Sequence, residues 1–381
     1  MIKKSLFLPY LLPFVITGCE TWDLEKRPDH DYFLKNEIFK ETTDGEGQAL
    51  IQTSDGGFAI AGKIVNNGNY DICLYKLDEF GERKGTFIFG DNKNEEATFL
   101  VETNDGYLLL GNKTISENNS DAIIIKTDKT GISKWTKFPG DSLDDKAYAL
   151  VVKNDLILAV GESSKYMDRN LGIETLLFPI NSNGEILEDK NYDYRQNKDD
   201  MGIYMVYNNN KFVILSYCLN DNSKYDLYLI TIDENLKIDF NAFPVKILEN
   251  CLKINNSFIA IDNSNYLIAA TLTGNEVVLV KTNLRGQISK KETFTSINCN
   301  SYISLIKTKD NGYAFLTGKM ILVKLNSNLE KIWENEYKDV TTSGNHCLIH
   351  TNDNGFAMVG KKDNKIIFIK TDPEGNTLDE E

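Results

Sequence analysis

One pattern recurs through this chain: an apolar run rich in β-branched residues that stops at Asp or Asn, with Gly or Leu three positions later. Asp or Asn at the first position of a type I turn accepts a hydrogen bond from the backbone two residues on, and Gly at the fourth tolerates positive φ. Each copy therefore predicts a strand followed by a tight turn, in which the Asp or Asn has a structural role. The seven turn residues are Asp78, Asp128, Asn181, Asp233, Asn283, Asn326 and Asp372.

Further strand patterns surround each copy. ALIQTSDGGFAIAGK, residues 49–63, contains two apolar runs joined by Asp and Gly, as in a tight hairpin. ISKWTKF, residues 132–138, follows the turn at Asp128 and supplies a fourth strand. Four antiparallel strands in a unit of about 50 residues, written seven times, predict an all-β fold, a seven-bladed β-propeller of four-stranded blades.

The two ends of the chain complement each other. The last unit finishes with NTLDEE, residues 376–381, where a fourth strand would be expected. DYFLKNEIFKE, residues 31–41, aligns with the fourth strands and precedes the first complete set of three. Pairing one terminus with the other removes an open sheet edge. We therefore expect residues 33–40 to complete the last blade and close the ring.

The N-terminus has the layout of a secretory signal. Lys3 and Lys4 precede an apolar run from Leu6 to Thr17, which is too short to span a bilayer. Ile16-Thr17-Gly18-Cys19 resembles the lipobox of bacterial lipoproteins, which implies cleavage before Cys19 and lipid attachment to it. A plain secretory signal with Cys19 incidental is the alternative. The expected organisation is a signal peptide at 1–18, a charged tether at 19–32 and a propeller at 33–381.

The charge of the chain restricts its partners. The net charge of the 381 residues is −14, and removal of residues 1–18 takes away two lysines and no acid. Such an acidic surface repels nucleic-acid phosphates and anionic lipid headgroups, so neither nucleic acid nor a polybasic membrane contact is expected. Two or more acyl chains on Cys19 would hold the protein on a membrane without a spanning helix.

Metal and disulfide chemistry have little support in the sequence. Five cysteines besides Cys19 occur at irregular spacing without a CxxC pair, which favours small buried side chains over a zinc site or a disulfide framework. His346 and His350 are four residues apart on one predicted strand, hence about 13 Å apart, too far to share an ion.

The repeating unit resembles that of a broad group of secreted bacterial propellers, with DGGY, an apolar strand containing AG, a strand ending in KLD, a turn with Gly and a strand with Trp. The resemblance covers residues 33–378 and implies the fold without naming an activity. The lipobox together with the Lys- and Asn-rich composition is similar to outer-membrane lipoproteins of Bacteroidetes. That resemblance implies a lipid anchor in the cell envelope at the outer membrane, with exposure on the cell surface left open.

Two groups of enzyme-bearing propellers share single features with the chain. TDKTGISKW, residues 127–135, is similar to the repeat of pyrroloquinoline-quinone propellers, but only Trp333 repeats the tryptophan, and Leu329 replaces the turn glycine there. The S-x-D-x-G-x-T-W boxes of sialidases are missing. No organic cofactor is therefore implied.

One side of the ring, here called the loop face, carries the connections from second to third strand and from blade to blade; the tight turns occupy the opposite turn face. The second-to-third connections look longer in blades 1 to 4 (NNGN, SENNS, SSKYMDRNLG and NDNSK) than in blades 5 to 7. Adjacent acids lie in the connections that lead into blades 2, 3 and 4. Long loops on a rigid scaffold often carry binding residues. The candidate ligand-binding residues are Glu95, Glu96, Asp144, Asp145, Tyr166, Asp168, Arg169, Asp199 and Asp200.

These candidates leave several functions open. The acid pairs are explained by solvated loop carboxylates, with a Ca²⁺ site as a further possibility because that ion takes several oxygen ligands. We favour a monomeric, non-enzymatic binding or scaffold protein for a glycan, peptide or protein partner. The alternative is a carbohydrate-active enzyme resembling glycoside hydrolases, which needs two carboxylates about 5 to 9.5 Å apart across a sugar. A structural part of an envelope assembly is the third possibility.

Overall fold

The computed structural model describes most of the propeller region. The chain divides into two units, Met1–Asp31 and Tyr32–Glu381, and every described residue belongs to the second. The predicted signal peptide, Cys19 and the tether lie outside the described residues. Those are 34–35, 43–117, 119–140, 143–164, 173–188, 190–192, 198–238, 244–252, 258–261, 264–272, 276–295, 297, 302–344 and 346–377.

The described residues form seven four-stranded antiparallel sheets and no helix, as predicted. None of them belongs to a helix long and apolar enough to cross a membrane. Blade 1 holds β2 (Gly45–Gln52), β3 (Phe58–Asn66), β4 (Asn69–Leu77) and β5 (Arg83–Phe89). Blade 2 holds β6 (Asn94–Thr103), β7 (Gly106–Ser116), β8 (Asn119–Thr127) and β9 (Ser133–Lys137). Blade 3 holds β10 (Asp145–Lys153), β11 (Leu156–Ser163), β12 (Glu174–Asn181) and β13 (Lys190–Tyr192).

The remaining blades follow the same order, with the first strand nearest the axis. Blade 4 holds β14 (Asp200–Asn208), β15 (Lys211–Leu219), β16 (Tyr225–Asp233) and β17 (Val245–Cys251). Blade 5 holds β18 (Phe258–Ile261), β19 (Asn265–Thr271), β20 (Val277–Asn283) and β21 (Ile288–Phe294). Blade 6 holds β22 (Ile303–Lys307), β23 (Tyr313–Thr317), β24 (Ile321–Leu325) and β25 (Lys331–Glu336). Blade 7 holds β26 (Leu348–His350), β27 (Phe356–Lys362), β28 (Lys365–Thr371) and β1 (Leu34–Lys35).

The ring closes as the two ends of the sequence predict. Leu34 pairs with Ile369 and Lys35 pairs with Phe368, so that β1 becomes the outer strand of blade 7. Residues 33 and 36–40 of the predicted closing strand lie outside the described residues. Blades 1 and 7 also meet through a parallel bridge between Ala49 of β2 and His346, which shortly precedes β26.

The seven turns have the predicted hydrogen bonds. In blade 1 the backbone N–H of Phe80 donates to the Asp78 carboxylate at 3.0 Å, and the equivalent bond occurs in the other six copies. The fourth turn residue has positive φ in every copy. Gly fills this position in five blades, whereas Leu236 and Leu329 adopt φ values of 57° and 62°. The recurring Asp and Asn are therefore turn-forming residues.

The apolar core lies between the blades. Phe58 and Ile60 on β3 pack toward blade 7, and the alternating Ala59 and Ala61 pack toward blade 2. The two faces of one strand thus belong to two different inter-blade clusters, as the two-residue period of a strand requires. Comparable clusters occupy the other interfaces around the ring.

The described cysteines are part of this core. Cys73, Cys218, Cys251 and Cys347 are buried, which confirms the expectation of small buried side chains at these four positions. Burial raises the pKa of both Cys251 and Cys347 to about 12, so these thiols stay protonated at neutral pH. Cys299 lies outside the described residues.

The second-to-third connections differ from expectation in blades 1 and 2. Asn66 pairs directly with Asn69, which leaves a two-residue turn at Asn67 and Gly68, both with positive φ. Asn-Gly is the favoured sequence for this hairpin turn because it matches the twist of the flanking strands. Ser116 likewise pairs with Asn119. The residues read as long loops are therefore extensions of the β3–β4 and β7–β8 hairpins, and the prediction of long loops was wrong for these two blades.

On the turn face, buried lysines pair with acids of the first hairpin turn in several blades. Lys324 of β24 is 6% exposed and donates to Asp310 at 2.7 Å and to the Thr308 hydroxyl at 2.8 Å. Burial alone would raise the pKa of Asp310, but the bonds from Lys324 and Thr308 outweigh it and lower the pKa to about 2. Lys126 with Asp105 and Lys370 with Asp353 repeat this arrangement in blades 2 and 7.

Substitutions of Asp310 and of Lys324 should lower the unfolding free energy by different amounts. Asp310→Asn leaves the buried Lys324 ammonium without its carboxylate, and we expect a loss of about 1–3 kcal/mol of unfolding free energy. The loss stays below that of a fully buried pair because the Asp310 side chain is 58% exposed. Lys324→Met keeps the apolar stem and removes the charge, so a loss of under about 1 kcal/mol is expected. Urea denaturation measures both values, and equal losses would contradict this assignment.

Candidate functional site

A polar cavity of about 610 Å³ opens on the loop face. The long β3–β4 and β7–β8 hairpins form its walls, whereas β23 and β24 of blade 6 have only 5 residues each. We call this cavity the cup. Residues from blades 1 to 3 line one side, and the connections into blades 6 and 7 line the other. The lining includes Gln48, Lys63, Tyr70, Asn94, Glu95, Glu96, Thr98, Asn112, Ser120, Lys146, Tyr148, Tyr302 and Ser343.

Three β-bulges direct side chains into the cup. The pairing of β2 with β3 shifts between Gly47 and Ala49, which leaves Gln48 as the extra residue. The same shift leaves Thr98 in blade 2 and Tyr148 in blade 3 without a ladder partner. A bulge adds one residue to a strand and changes the direction of its side chain. The bulges of blades 1 to 3 thus supply three polar residues to the cup lining.

An aromatic chain crosses the channel one residue below the bulges. The His346 ring contacts Phe99 of blade 2 edge to face, with ring centroids 4.1 Å apart. It also stacks on Tyr204 of blade 4 at 5.5 Å. Phe99 directly follows Thr98, and His346 bridges to Ala49, which directly follows Gln48. The three rings, here called the base, therefore lie under the cup.

A charged network joins blades 1, 2 and 7 beside the cup. Lys63 Nζ lies 2.8 Å from Glu96 Oε2, which also accepts a bond from Gln48 Nε2 at 3.3 Å. Burial opposes the charge of Lys63, but Glu96 and Glu46 outweigh it and raise the pKa of this amine. Glu46 is 6% exposed and accepts a 2.6 Å hydrogen bond from Ser343. Because these partners fix one another, the wall of the cup is preorganised.

A second network occupies blade 3. Lys146 Nζ lies 2.8 Å from Asp144 and 3.8 Å from Glu162. The Tyr148 hydroxyl donates to Glu162 at 2.7 Å, which fixes the bulge side chain. The second Asp144 oxygen accepts the backbone N–H of Ser120 at 2.8 Å. Asp144 thereby ties the blade 3 network to the β7–β8 hairpin.

Glu95 is a buried carboxyl in the cup lining. It is 1% exposed, and its Oε1 lies 3.1 Å from Lys113 Nζ. Burial raises the pKa of Glu95, and the ion pair with Lys113 offsets only part of that effect. Glu95 and Glu96 are consecutive on β6, so their side chains leave opposite faces of the strand. They consequently meet different lysines.

The structure separates the predicted acids by exposure. Glu95 and Glu96 line the cup, and Asp144 lies beside it through Lys146. Asp145 and Asp200 are 1% and 0% exposed, at the strand position that Glu95 occupies in blade 2. Asp199 accepts the backbone N–H of Ile173 at 3.0 Å.

Tyr166, Asp168 and Arg169 lie outside the described residues. Within the described ranges, no group of three or more His, Cys, Asp or Glu side chains is arranged to hold a metal ion. Glu95, Glu96 and Asp144 each have a lysine partner.

Sequence reasoning missed Glu46, Lys63, Gln48, Thr98 and Tyr148. Glu46 occupies the register position of Glu96 one blade earlier, since they pair with Lys63 and Asn112 at equivalent places. Alignment of the first strands by their bulges would have found it. Gln48 and Ser343 are 295 residues apart, so their contact depends on ring closure.

Neither a protein-family model nor a curated protein sequence matches this chain. Among solved structures, it is similar to the WD40 domain of Pan2 from Neurospora crassa, at 10% identity and a TM-score of 0.58, with 88% of this chain and 92% of that one covered. The likeness shows the fold.

Two further solved structures are more distant in shape. BamB from Moraxella catarrhalis has 10% identity and a TM-score of 0.46, with coverage of 87% of this chain and 99% of that one. A Trypanosoma rangeli sialidase mutant displaying trans-sialidase activity has 9% identity and a TM-score of 0.49, with coverage of 75% of this chain and 55% of that one.

The base predicts a pH dependence of stability. Enclosure inside the ring lowers the pKa of His346 from 6.5 to about 3. Below pH 6.5 the unfolded chain takes up a proton that the folded protein does not, so stability is lost as pH falls, by about 1.4 kcal/mol per pH unit. Burial lowers the pKa of His350 as well, which adds to the slope.

His346→Phe keeps a ring between Phe99 and Tyr204 and cannot take up a proton. We expect the slope of unfolding free energy between pH 6.5 and 4 to decrease by about one proton in this variant. Chemical denaturation at a series of pH values measures the slope. An unchanged slope would show that His346 does not titrate on unfolding.

Proposed function

We propose that this protein is a lipid-anchored envelope protein that binds a glycan, peptide or protein partner through the cup, without catalysis. The observation that carries the proposal is the cup itself. Its volume of about 610 Å³ falls within the range of about 300–1,000 Å³ that small-ligand sites occupy. A seven-bladed propeller is also compatible with a binding or scaffold role, because it holds such a site on a rigid ring.

The internal networks of the cup favour binding. Glu96 is held by Lys63 and Gln48, and Tyr148 is held by Glu162. Side chains that are already ordered lose little conformational entropy when a ligand arrives. The Tyr70 ring is 40% exposed at the rim and offers an apolar surface next to these polar groups. Such a mixture suits a ligand with both polar and apolar faces.

The sequence Ile16-Thr17-Gly18-Cys19 supports the lipid anchor. The propeller would follow a short tether, with the outer membrane as the proposed location and the cell surface as a possible site of display. Lipid on Cys19 would keep the cup close to the membrane and leave it open to large partners. A scaffold role in an envelope assembly uses the same arrangement, with a protein segment in the cup.

One observation favours an enzyme as the second candidate. Burial raises the pKa of Glu95, as a general acid requires, and Glu96, which pairs with Lys63, lines the same cup. A glycoside hydrolase would use two carboxyl groups of the cup on either side of a sugar. In that case Glu96→Gln abolishes hydrolysis of an oligosaccharide panel, and Asp145→Asn is the comparison at the buried blade 3 position. Turnover that requires Glu96 would replace the binding proposal with the enzymatic one.

The anchor is tested by Cys19→Ser. Without the thiol no lipid can be attached, so we expect the protein to leave the membrane pellet and appear in the soluble fraction. Membrane fractionation of the native host, together with metabolic labelling by a fatty-acid analogue, measures the change. A variant that still sediments and still carries label would contradict lipidation at Cys19.

The cup is tested by filling it. Ser120 lines the cup, so Ser120→Trp should occupy its space and weaken binding by tenfold or more. Ser133→Trp places the same side chain at an exposed position on the outer strand β9 and should leave binding unchanged. Arrays of glycans and of peptides measure binding for both variants. Binding that survives Ser120→Trp would place the site elsewhere.

A further inference from the structure

The lysines beside the cup are paired with carboxylates. Lys63 pairs with Glu96 at 2.8 Å, and Lys146 pairs with Asp144 at 2.8 Å. Lys113, behind the lining residue Glu95, pairs with it at 3.1 Å. A site for phosphate, sulfate or a carboxylate keeps cations available, and a site for an ammonium keeps carboxylates available. Each of these lysines also has a second carboxylate neighbour, because Lys63 lies 4.0 Å from Glu46, Lys146 lies 3.8 Å from Glu162 and Lys113 pairs with Asp91. None of the three lysines is therefore left over for an anion, which favours a ligand without negative charge.

Hydrogen-bonding groups dominate the rest of the lining. Gln48 and Glu95 are 4% and 1% exposed, and Gln48 Oε1 and Glu95 Oε2 have no hydrogen-bond partner among the described residues. The Thr98 hydroxyl is also buried without a hydrogen-bond partner among the described residues. Buried polar atoms in native proteins nearly always have a partner in the protein, water or a ligand. Two of these three atoms are acceptors, so the matching ligand groups are donors such as hydroxyls.

Aromatic rings lie between these polar groups. Tyr70, Tyr148 and Tyr302 all line the cup, and each presents an apolar ring with a polar end. A sugar ring combines a C–H face with hydroxyls at its edge. The C–H face matches a tyrosine ring, while the hydroxyls match the amide, hydroxyl and carboxyl groups of the lining. Phospholipid headgroups and basic peptides lack this combination.

The base determines how a long ligand can lie. Phe99, His346 and Tyr204 are in contact across the channel, so a chain that enters from the loop face cannot continue along the axis. The hairpin walls of blades 1 and 2 surround the cup on one side. A polymer therefore presents an end to the cup.

From these observations we infer that the cup binds the terminal residues of an uncharged glycan chain. The inference rests on the proposed function, because it names the ligand class of the same site. It also gives roles to residues. Glu96 and Glu46 occupy Lys63 and so reject anionic chains, while Gln48 and Thr98 contact the hydroxyls of the terminal sugar.

The inference of an uncharged ligand is tested by variants that should change which charge the cup prefers. The full-length protein in detergent is applied to an array of uncharged hexose and N-acetylhexosamine oligosaccharides, with tetragalacturonate and the glucosamine tetramer as charged probes and peptides as a further class. We expect wild type to prefer uncharged probes. Glu96→Gln leaves Lys63 with less compensation and should shift the preference toward tetragalacturonate by roughly tenfold, because unit charges a few ångströms apart interact strongly outside bulk water.

Lys63→Met is the matched opposite of Glu96→Gln. It leaves Glu96 without its lysine and should shift the preference toward the cationic glucosamine tetramer by a similar factor. A general loss of folding would weaken all probes together and could not move the two preferences in opposite directions. Preferences that stay unchanged in both variants would overturn the role of this ion pair.

The orientation of the ligand is tested by immobilising the best uncharged oligosaccharide through one end or through the other. If an end enters the cup, one of the two attachments blocks binding. Equal binding to both would overturn the end-on arrangement.

Other results of the array separate this inference from the proposed function. Binding that Ser120→Trp abolishes but that is confined to charged oligosaccharides or peptides overturns the uncharged-glycan inference and keeps the binding role. Absence of binding to every probe class overturns both. Uncharged glycan binding that survives Ser120→Trp overturns the assignment to the cup.

Discussion

Coverage of both faces of every sheet is the constraint on which this structure depends. Phe58 and Ile60 on β3 are buried against one neighbouring blade, while Ala59 and Ala61 on the same strand are buried against the other. A single blade would expose both sets to water, and a stack of blades would still expose two outer faces. A closed ring covers them all, which explains why the same strand and turn pattern occurs seven times.

The cup is formed where blades 1 to 3 differ from the other blades, and the ring accommodates these differences. Blades 1 and 2 extend their second and third strands beyond those of blade 6, which makes the rim uneven. Bulges then direct Gln48, Thr98 and Tyr148 to the centre, where blade 4 has the buried Ile203 at the equivalent bulge. The inter-blade core is unaffected, because the changes lie above it. Function can therefore vary at the rim while the apolar interfaces preserve the fold.

Features set by neighbouring residues were predictable from the sequence. The Asp78 carboxylate accepts bonds from Phe80 and Glu82, all within five residues, so its turn could be recognised from a short motif. The two ends of the chain could be matched because the last unit lacks a fourth strand and residues 31–41 supply one. The cup could not be derived in this way. Its residues come from strands far apart in the chain, and a one-residue bulge decides which side chains face it. Asp144 and Asp145 show how adjacent residues differ in position, since Asp145 is buried while Asp144 pairs with Lys146.

Closure by β1 also constrains when the protein can finish folding. Among the described strands, β1 comes first in the sequence and its partner β28 comes last. Blades 1 to 6 are each continuous in sequence, so their sheets can form while the rest of the chain is still being made. Blade 7 has to wait for the final residues. A chain stopped short of β28 would keep an unpaired edge and an uncovered apolar face, which distinguishes unfinished molecules from complete ones for proteases and chaperones.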